Sequence, residues 1–147
     1  MCVVYPTSTQ PALGCLPTSE SLDLLYSLKN RQRDQPVSLA VANIEQARRI
    51  AHIPDSVVSL LDHFPTGSIT VILDSKFILD ERLGGERVAL RVVSHDTAVG
   101  LIEEVGPITA TSANISGSPP ENDTAMAARS LSTDGSHIPF VSGLCGG

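Results

Sequence analysis

The stretch that decides the fold is Arg87-Val88-Ala89-Leu90-Arg91-Val92-Val93, followed by Ser94 to Val105 and then Pro107-Ile108-Thr109-Ala110. The first seven residues form an apolar, valine-rich run of strand length. Ala98, Leu101, Ile102 and Val105 then recur at i, i+3, i+4 and i+7, the stripe of an amphipathic helix opened by Ser94 or Asp96. Pro107 to Ala110 is a second strand. Working towards the N-terminus, Ile69 to Leu73 reads as a strand. Pro54 and Asp55 start a helix carrying Val57, Val58, Leu60 and Leu61. Asn43 with Gln46 is a capping box opening a helix through about Ala51. Val37 to Val41 is a strand, and Thr18 or Ser19 caps a helix carrying Leu22, Leu25 and Leu28. Thr7 to Leu16 reads as a loop, and Cys2 to Tyr5 as a strand stopped by Pro6. Towards the C-terminus come a polar loop from Thr111 to Asn122, a helix over Asp123–Leu131 and a last strand over Ile138–Val141. Strands alternate with helices, and several strands are continuous apolar runs, the mark of a sheet covered on both faces. The expected fold is α/β: one domain over residues 1–147, with a twisted, mixed and largely parallel sheet flanked by helices.

Composition narrows the function. Hydrophobic residues make up 41% of the 147 and charged residues 18%, too apolar a balance for a disordered chain. No apolar run approaches the roughly 20 residues of a membrane helix, and no basic-then-apolar leader opens the chain. Cys2, Cys15 and Cys145 form no CxxC pair or metal-ligand spacing. They read as reduced thiols of a cytoplasmic protein. The sequons at Asn114 and Asn122 read as chance matches. A net charge of −6 argues against a broad phosphate-tracking surface, so direct nucleic-acid binding has no support from charge. There is no GxxxxGK[ST] loop, no GxGxxG and no Ser/His/Asp arrangement. His52, His63, His95 and His137 are scattered, and His95 reads as a capping or packing residue.

Four constellations could carry chemistry. Lys29-Asn30-Arg31-Gln32-Arg33 gathers three cations where a helix ends. It offsets the helix dipole or clamps a polyphosphate, the lysine as a point charge and the arginines as planar forks. Arg91 shares a strand face with Ala89 and Val93 and must find a partner, either a protein carboxylate or the carboxylate of a ligand. Thr109-Ala110-Thr111-Ser112-Ala113-Asn114-Ile115-Ser116-Gly117 sets hydroxyls and an amide at a strand end, where ligands of α/β sheets commonly sit. Pro6 to Cys15 is a hydroxyl-bearing turn after another strand.

In this order these segments resemble the YrdC family. Pro6-Thr7-Ser8-Thr9 leading to Leu13-Gly14 is similar to its PT-x-T-x-YGLG segment. Lys29-Asn30-Arg31 leading to Pro36 is similar to K-x-R-P-x-x-(K/N)-PL, and Phe64 to Thr70 to FWPGPLT. Val88 to His95 resembles VAVRVP-x-H, and Thr111 to Gly117 resembles TSAN-(L/I)-SG. Pro11-Ala12 replaces the aromatic start of YGLG, Gln32 and Gln35 replace residues of the second segment, and Pro65 replaces the tryptophan of the third. The resemblance leads one to expect a YrdC-like domain without the family's C-terminal closing segment.

The resemblance implies an enzyme that condenses L-threonine, bicarbonate and ATP, with Mg2+, into threonylcarbamoyl-adenylate and pyrophosphate. A downstream transferase would then modify tRNA. The alternative is a non-catalytic nucleotide- or RNA-binding module of translation. Carried over residue by residue, Lys29 and Arg31 are the catalytic, phosphate-facing pair. Thr7, Arg91 and Thr111 bind threonine. Gln35, Ser112, Ala113 and Asn114 join Lys29 and Arg31 around ATP, and no protein side chain ligates the metal.

Overall fold

Cys2–Tyr5 (β1) and Ala12–Cys15 (β2) are joined by six residues, too few for a crossover, and they pair antiparallel with Cys2 opposite Cys15. The computed structural model describes residues 2–115, 117, 119, 123–131, 138–142 and 145. Ser116, Asn122 and His137 of the readings above lie outside them. β2 corrects the expectation of a continuous loop from Thr7 to Leu16. Ala12-Leu13-Gly14-Cys15 carries no β-branched residue, so nothing local marks it as a strand. A Cβ on Gly14 would stand 2.7 Å from Tyr5 Cε1 and 2.9 Å from the Thr109 carbonyl oxygen. The missing side chain that hides this strand in the sequence is what lets its neighbours close over it.

The remaining elements follow the expected order. Ser19–Lys29 (α1) is capped by Thr18, whose hydroxyl accepts from Ser21 N. Ser38–Val41 (β3) precedes Ile44–Ile50 (α2), where Asn43 Oδ1 accepts from Gln46 N and Gln46 Oε1 accepts from Ala42 N. Asp55–Asp62 (α3), Val71–Asp74 (β4), a 3-10 turn over Glu81–Leu83 and Arg87–Val92 (β5) come next. Asp96–Val105 (α4) is capped by His95, whose Nδ1 accepts from Thr97 N. Ile108–Ser112 (β6) runs two residues further than the sequence suggests, and Thr124–Leu131 (α5) follows. Ile138 to Val141 is not a full strand. It adds one parallel bridge, Phe140 to Val4, with Val141 N donating to Val4 O at 2.8 Å. Pro139 has no N–H to extend the ladder.

The sheet order is β1-β2-β6-β3-β5-β4. It is mixed and flanked by helices, as expected, but it is not largely parallel. Among the described residues β3–β5 is the one parallel pairing of named strands, beside the single Val4–Phe140 bridge, and the other four strand pairings are antiparallel. An apolar run reports burial on two faces and carries no information on strand direction.

On one face of the sheet Val4, Leu13, Leu39, Val88 and Leu90 pack with Leu22 and Leu25 of α1 and Leu131 of α5. Each fully buried leucine contributes about 2 kcal/mol. Arg82 lies under the same layer, donating to both oxygens of Asp80, to Asp23 and to Ser19. Its fork ties α1 to the 3-10 turn. On the other face Tyr5, Ala12, Ala40, Val93 and Ile108 pack with Ala98 and Ile102 of α4. Among the described residues no helix is long and apolar enough to cross a membrane.

Candidate functional site

α4 covers only part of its face. Beyond it the sheet floor is made of small side chains. Ser38 pairs with Ala110, and Ala89 stands two positions before Arg91, which pairs with Ala40. Two concavities open there. The first, of about 260 Å³, is lined among others by Thr7, Ser38, Arg91, His95, Thr111 and Ser112. The second, of about 450 Å³, is lined by Arg31, Pro36, Ile72, Arg87 and Ala89. Ser38, Ala110 and Thr111 line both, so the two form adjoining halves of one groove.

Arg91 stands on the floor of the first half. Its Nε donates to Thr70 Oγ1 at 2.9 Å, and among the described residues no carboxylate pairs with it. Of the two partners open to it in the sequence, the described residues do not supply the protein carboxylate, and they leave the rest of the guanidinium fork available to a ligand. Thr7 organises the facing loop: its hydroxyl donates to Gln10 O at 2.6 Å and accepts from Thr9 N and Gln10 N. Tyr5 is fully buried behind that loop and donates to Thr109 O at 3.0 Å. Burial pushes its phenol pKa up, so it remains a donor.

The cationic segment divides in two. Asn30 adopts the left-handed conformation, φ 51°, and ends α1 with its N–H on Ser27 O. Lys29, just before it, points inward and is 1% exposed. Its Nζ donates to the Ser112 carbonyl and, at 2.9 Å, to that of Asn114. Burial first, and then the Arg31 guanidinium, lower its pKa to about 8. Arg31, just after Asn30, points outward. Its Nε donates to Gln35 O and its Nη2 to Pro36 O, and its guanidinium lies 5.8 Å from the Tyr26 ring centroid. The structure thus uses Gln35 through its carbonyl, which holds Arg31 and also accepts from the Tyr26 hydroxyl. Ala113 is buried with its N–H on Pro11 O, which fastens the start of the hydroxyl-rich loop to the Thr7 loop. Asn114 is 8% exposed, and its Nδ2 donates to Ile115 O.

Sequence and structure comparisons bear on what such a groove holds. A model of the Sua5/YciO/YrdC domain, described as Telomere recombination, matches residues 1–138. The chain belongs to the Sua5/YciO/YrdC family. It is 34% identical over 147 residues to the threonylcarbamoyl-AMP synthase of Bacillus subtilis, a match covering 96% of this chain and 42% of that protein. It is 33% identical to the threonylcarbamoyl-AMP synthase of Idiomarina loihiensis, over 84% of this chain and 70% of that one. Among solved structures it resembles P. abyssi Sua5 complexed with L-threonine, with a TM-score of 0.85 and 28% identity, covering 99% of this chain and 44% of that chain. The chain therefore spans under half the length of the Bacillus and Pyrococcus proteins.

Within this family fold, the sequence reading singled out Thr7, Arg31, Arg91, Thr111 and Ser112, and these line the groove. Lys29, Ala113 and Asn114 lie behind the wall. Arg87 and Ser38 line the groove without having been singled out. The signal for Arg87 is the two-residue period: Arg87, Ala89 and Arg91 share one face of β5. His95 has the capping role expected of it and also lines the first half.

Proposed function

We propose that this protein activates L-threonine, condensing it with bicarbonate and ATP into threonylcarbamoyl-adenylate and pyrophosphate. The observation that carries this reading is an arginine with no carboxylate partner among the described residues, Arg91, set among hydroxyls in a cavity that opens into an arginine-lined half-groove. Arg91 takes the threonine carboxylate, with Thr7 and Thr111 around the rest of the amino acid. The neutral amine and bicarbonate condense to an N-carboxylate, the amine proton and the bicarbonate hydroxyl leaving as water, and an oxygen of that group attacks the α-phosphorus as pyrophosphate departs. No protein nucleophile is required. Catalysis consists of positioning and of neutralising developing charge. Arg31 faces the phosphates, Ser112 lies between the two substrates, and Lys29 acts from behind by holding the Ser112 and Asn114 carbonyls.

The described residues lining both halves offer hydroxyls, a glutamine amide, guanidinia and the His95 imidazole, whose Nδ1 caps α4, but no carboxylate. That donor set does not suit a resident hard cation, so Mg2+ enters with the nucleotide phosphates as part of the substrate. The product is an activated acyl donor for a transferase acting on tRNA in the cytoplasm. The likeness to a protein complexed with L-threonine supports the amino-acid half of this reading. Purified protein given ATP, bicarbonate and Mg2+ is expected to release pyrophosphate only when L-threonine is added. Release indifferent to threonine would overturn the assignment, and nucleotide binding without release would favour a non-catalytic binding module.

A further inference from the structure

β5 carries two arginines on its groove face, and the reading above uses only one. Arg87 and Arg91 are four residues apart, which on an extended strand is a spacing of about 13 Å. Ala89 lies between them and is too small to block the floor. Arg91 lines the first half of the groove, while Arg87 lines the second half with Arg31. The turn before β5 fixes where Arg87 begins. Gly84 has φ 117°, and a Cβ there would stand 2.0 Å from Arg87 O. Only glycine allows the chain to fold back so tightly. Arg87 is not neutralised by a close ion pair. Among the described residues its one carboxylate neighbour, Asp74 on β4, is 3.7 Å from Nε, and both side chains are largely exposed. Such a contact is weak and readily exchanged for a ligand anion.

We propose that Arg87 is a second polyphosphate contact, so that β5 spans the two substrates from the amino-acid carboxylate at Arg91 to the outer phosphates of the nucleotide at Arg87 and Arg31. This rests on the reading of the groove as an adenylation site and adds the residue that sets how far the phosphate chain reaches. Two guanidinia on one concavity suit a polyphosphate better than a single phosphate, because each planar fork takes a separate pair of oxygens. Asp74 acts against the anion, holding part of Arg87's donor capacity and adding a negative charge nearby.

The test uses inorganic tripolyphosphate and L-threonine as separate probes, titrated calorimetrically into the full chain. Arg87→Gln is expected to weaken tripolyphosphate about fivefold, a modest loss suited to an exposed charge. Threonine affinity should stay within twofold. Asp74→Asn should tighten tripolyphosphate about twofold, and that gain should vanish when Arg87→Gln is added. Tripolyphosphate affinity unchanged by Arg87→Gln, equal losses for both probes, or no tripolyphosphate binding by the unaltered protein would each overturn the proposal. The adenylation reading stands or falls separately, on whether pyrophosphate release depends on threonine.

Discussion

Replacing Lys29 by Met tests the wall of the groove, and its effects can be worked from the structure. The ammonium sits in the protein at 1% exposure and donates to two loop carbonyls, those of Ser112 and Asn114. Methionine keeps most of the stem's packing but leaves both carbonyls without this donor. Hydrogen bonds from charged groups are worth about 1.5–3 kcal/mol each. Against that loss, the variant no longer buries a charge. The pKa of Lys29 falls from 10.5 to about 8 on folding, a displacement worth about 3 kcal/mol. The balance at pH 7 is a net destabilisation of about 2 kcal/mol, read as a lower urea midpoint.

The pH dependence has a definite sign. Below pH 8 both folded and unfolded states carry the proton, and the burial penalty is present in full. Between about 8 and 10.5 the unfolded chain binds more protons than the folded one, so raising the pH favours the fold. The advantage of the unaltered protein over Lys29→Met should therefore widen across that window. Activity should fall as well, because a displacement of the Ser112 loop by about 1 Å can cost about 100-fold in rate. A variant with an unchanged urea midpoint, or a stability gap that does not grow between pH 7 and pH 10, would refute the reasoning. Full threonine-dependent pyrophosphate release in a destabilised variant would leave Lys29 a prop with no influence on the site.

Three further outcomes follow from the same contacts. Arg91→Ala should raise the KM for threonine at least tenfold while leaving ATP binding within about twofold, since among the described residues Arg91 makes no ion pair whose loss would spread; steady-state kinetics with each substrate varied will show the split. Gly14→Val should cost at least about 3 kcal/mol in urea unfolding, because its Cβ would overlap the Tyr5 ring and the Thr109 backbone, neither of which can withdraw. Arg82→Met should destabilise by about 3 kcal/mol at neutral pH, because it strands Asp80 beside a buried layer. The Arg82 guanidinium, through its side-chain hydrogen bond, holds the Asp80 pKa below the usual carboxylate range. That stability is present above the ordinary carboxylate pKa and is lost as pH falls through the lowered one. The variant's acid-denaturation curve should therefore be flatter on that limb.

The elements that could be read in the chain are those whose side chains state their environment. β5, α4 and β3 announce themselves by valine-rich runs and a helical stripe, and the caps at Thr18 and Asn43 form the predicted bonds. β2 could not be read, because it holds its place by lacking a side chain at Gly14. Strand direction could not be read either, since Val88 and Leu90 would look the same beside a neighbour running either way. In the site, the hydroxyls were legible from their positions at strand ends, and Arg91 as a charge on an apolar strand that must find a partner. The fates of Lys29 and Arg31 were not. Two positions apart, they look like one cationic pair, yet a single left-handed residue, Asn30, sends one beneath the loop and the other over Tyr26. That separation depends on where β6 lies, and β6 is more than 70 residues away in the chain.

The placement of β6 also explains why the groove exists. Inserted antiparallel between β2 and β3, it brings Ala110 beside Ser38 and Ser112 beside Ala12. A row of small residues thus crosses the middle of the sheet on the face that α4 covers only in part. Larger residues at Ser38, Ala89 or Ala110 would fill the space that a ligand needs. The end of the same strand and the loop that leaves it present the Ser112 and Asn114 carbonyls to Lys29 on the side of α1. One strand therefore sets both the floor of the groove and the anchor of its wall, and Lys29 couples the binding surface to the main core through α1. A site built this way gains rigidity from the fold. It follows that substitutions in the α1 core, such as at Leu22 or Leu25, should disturb ligand affinity through Lys29 without touching any lining residue.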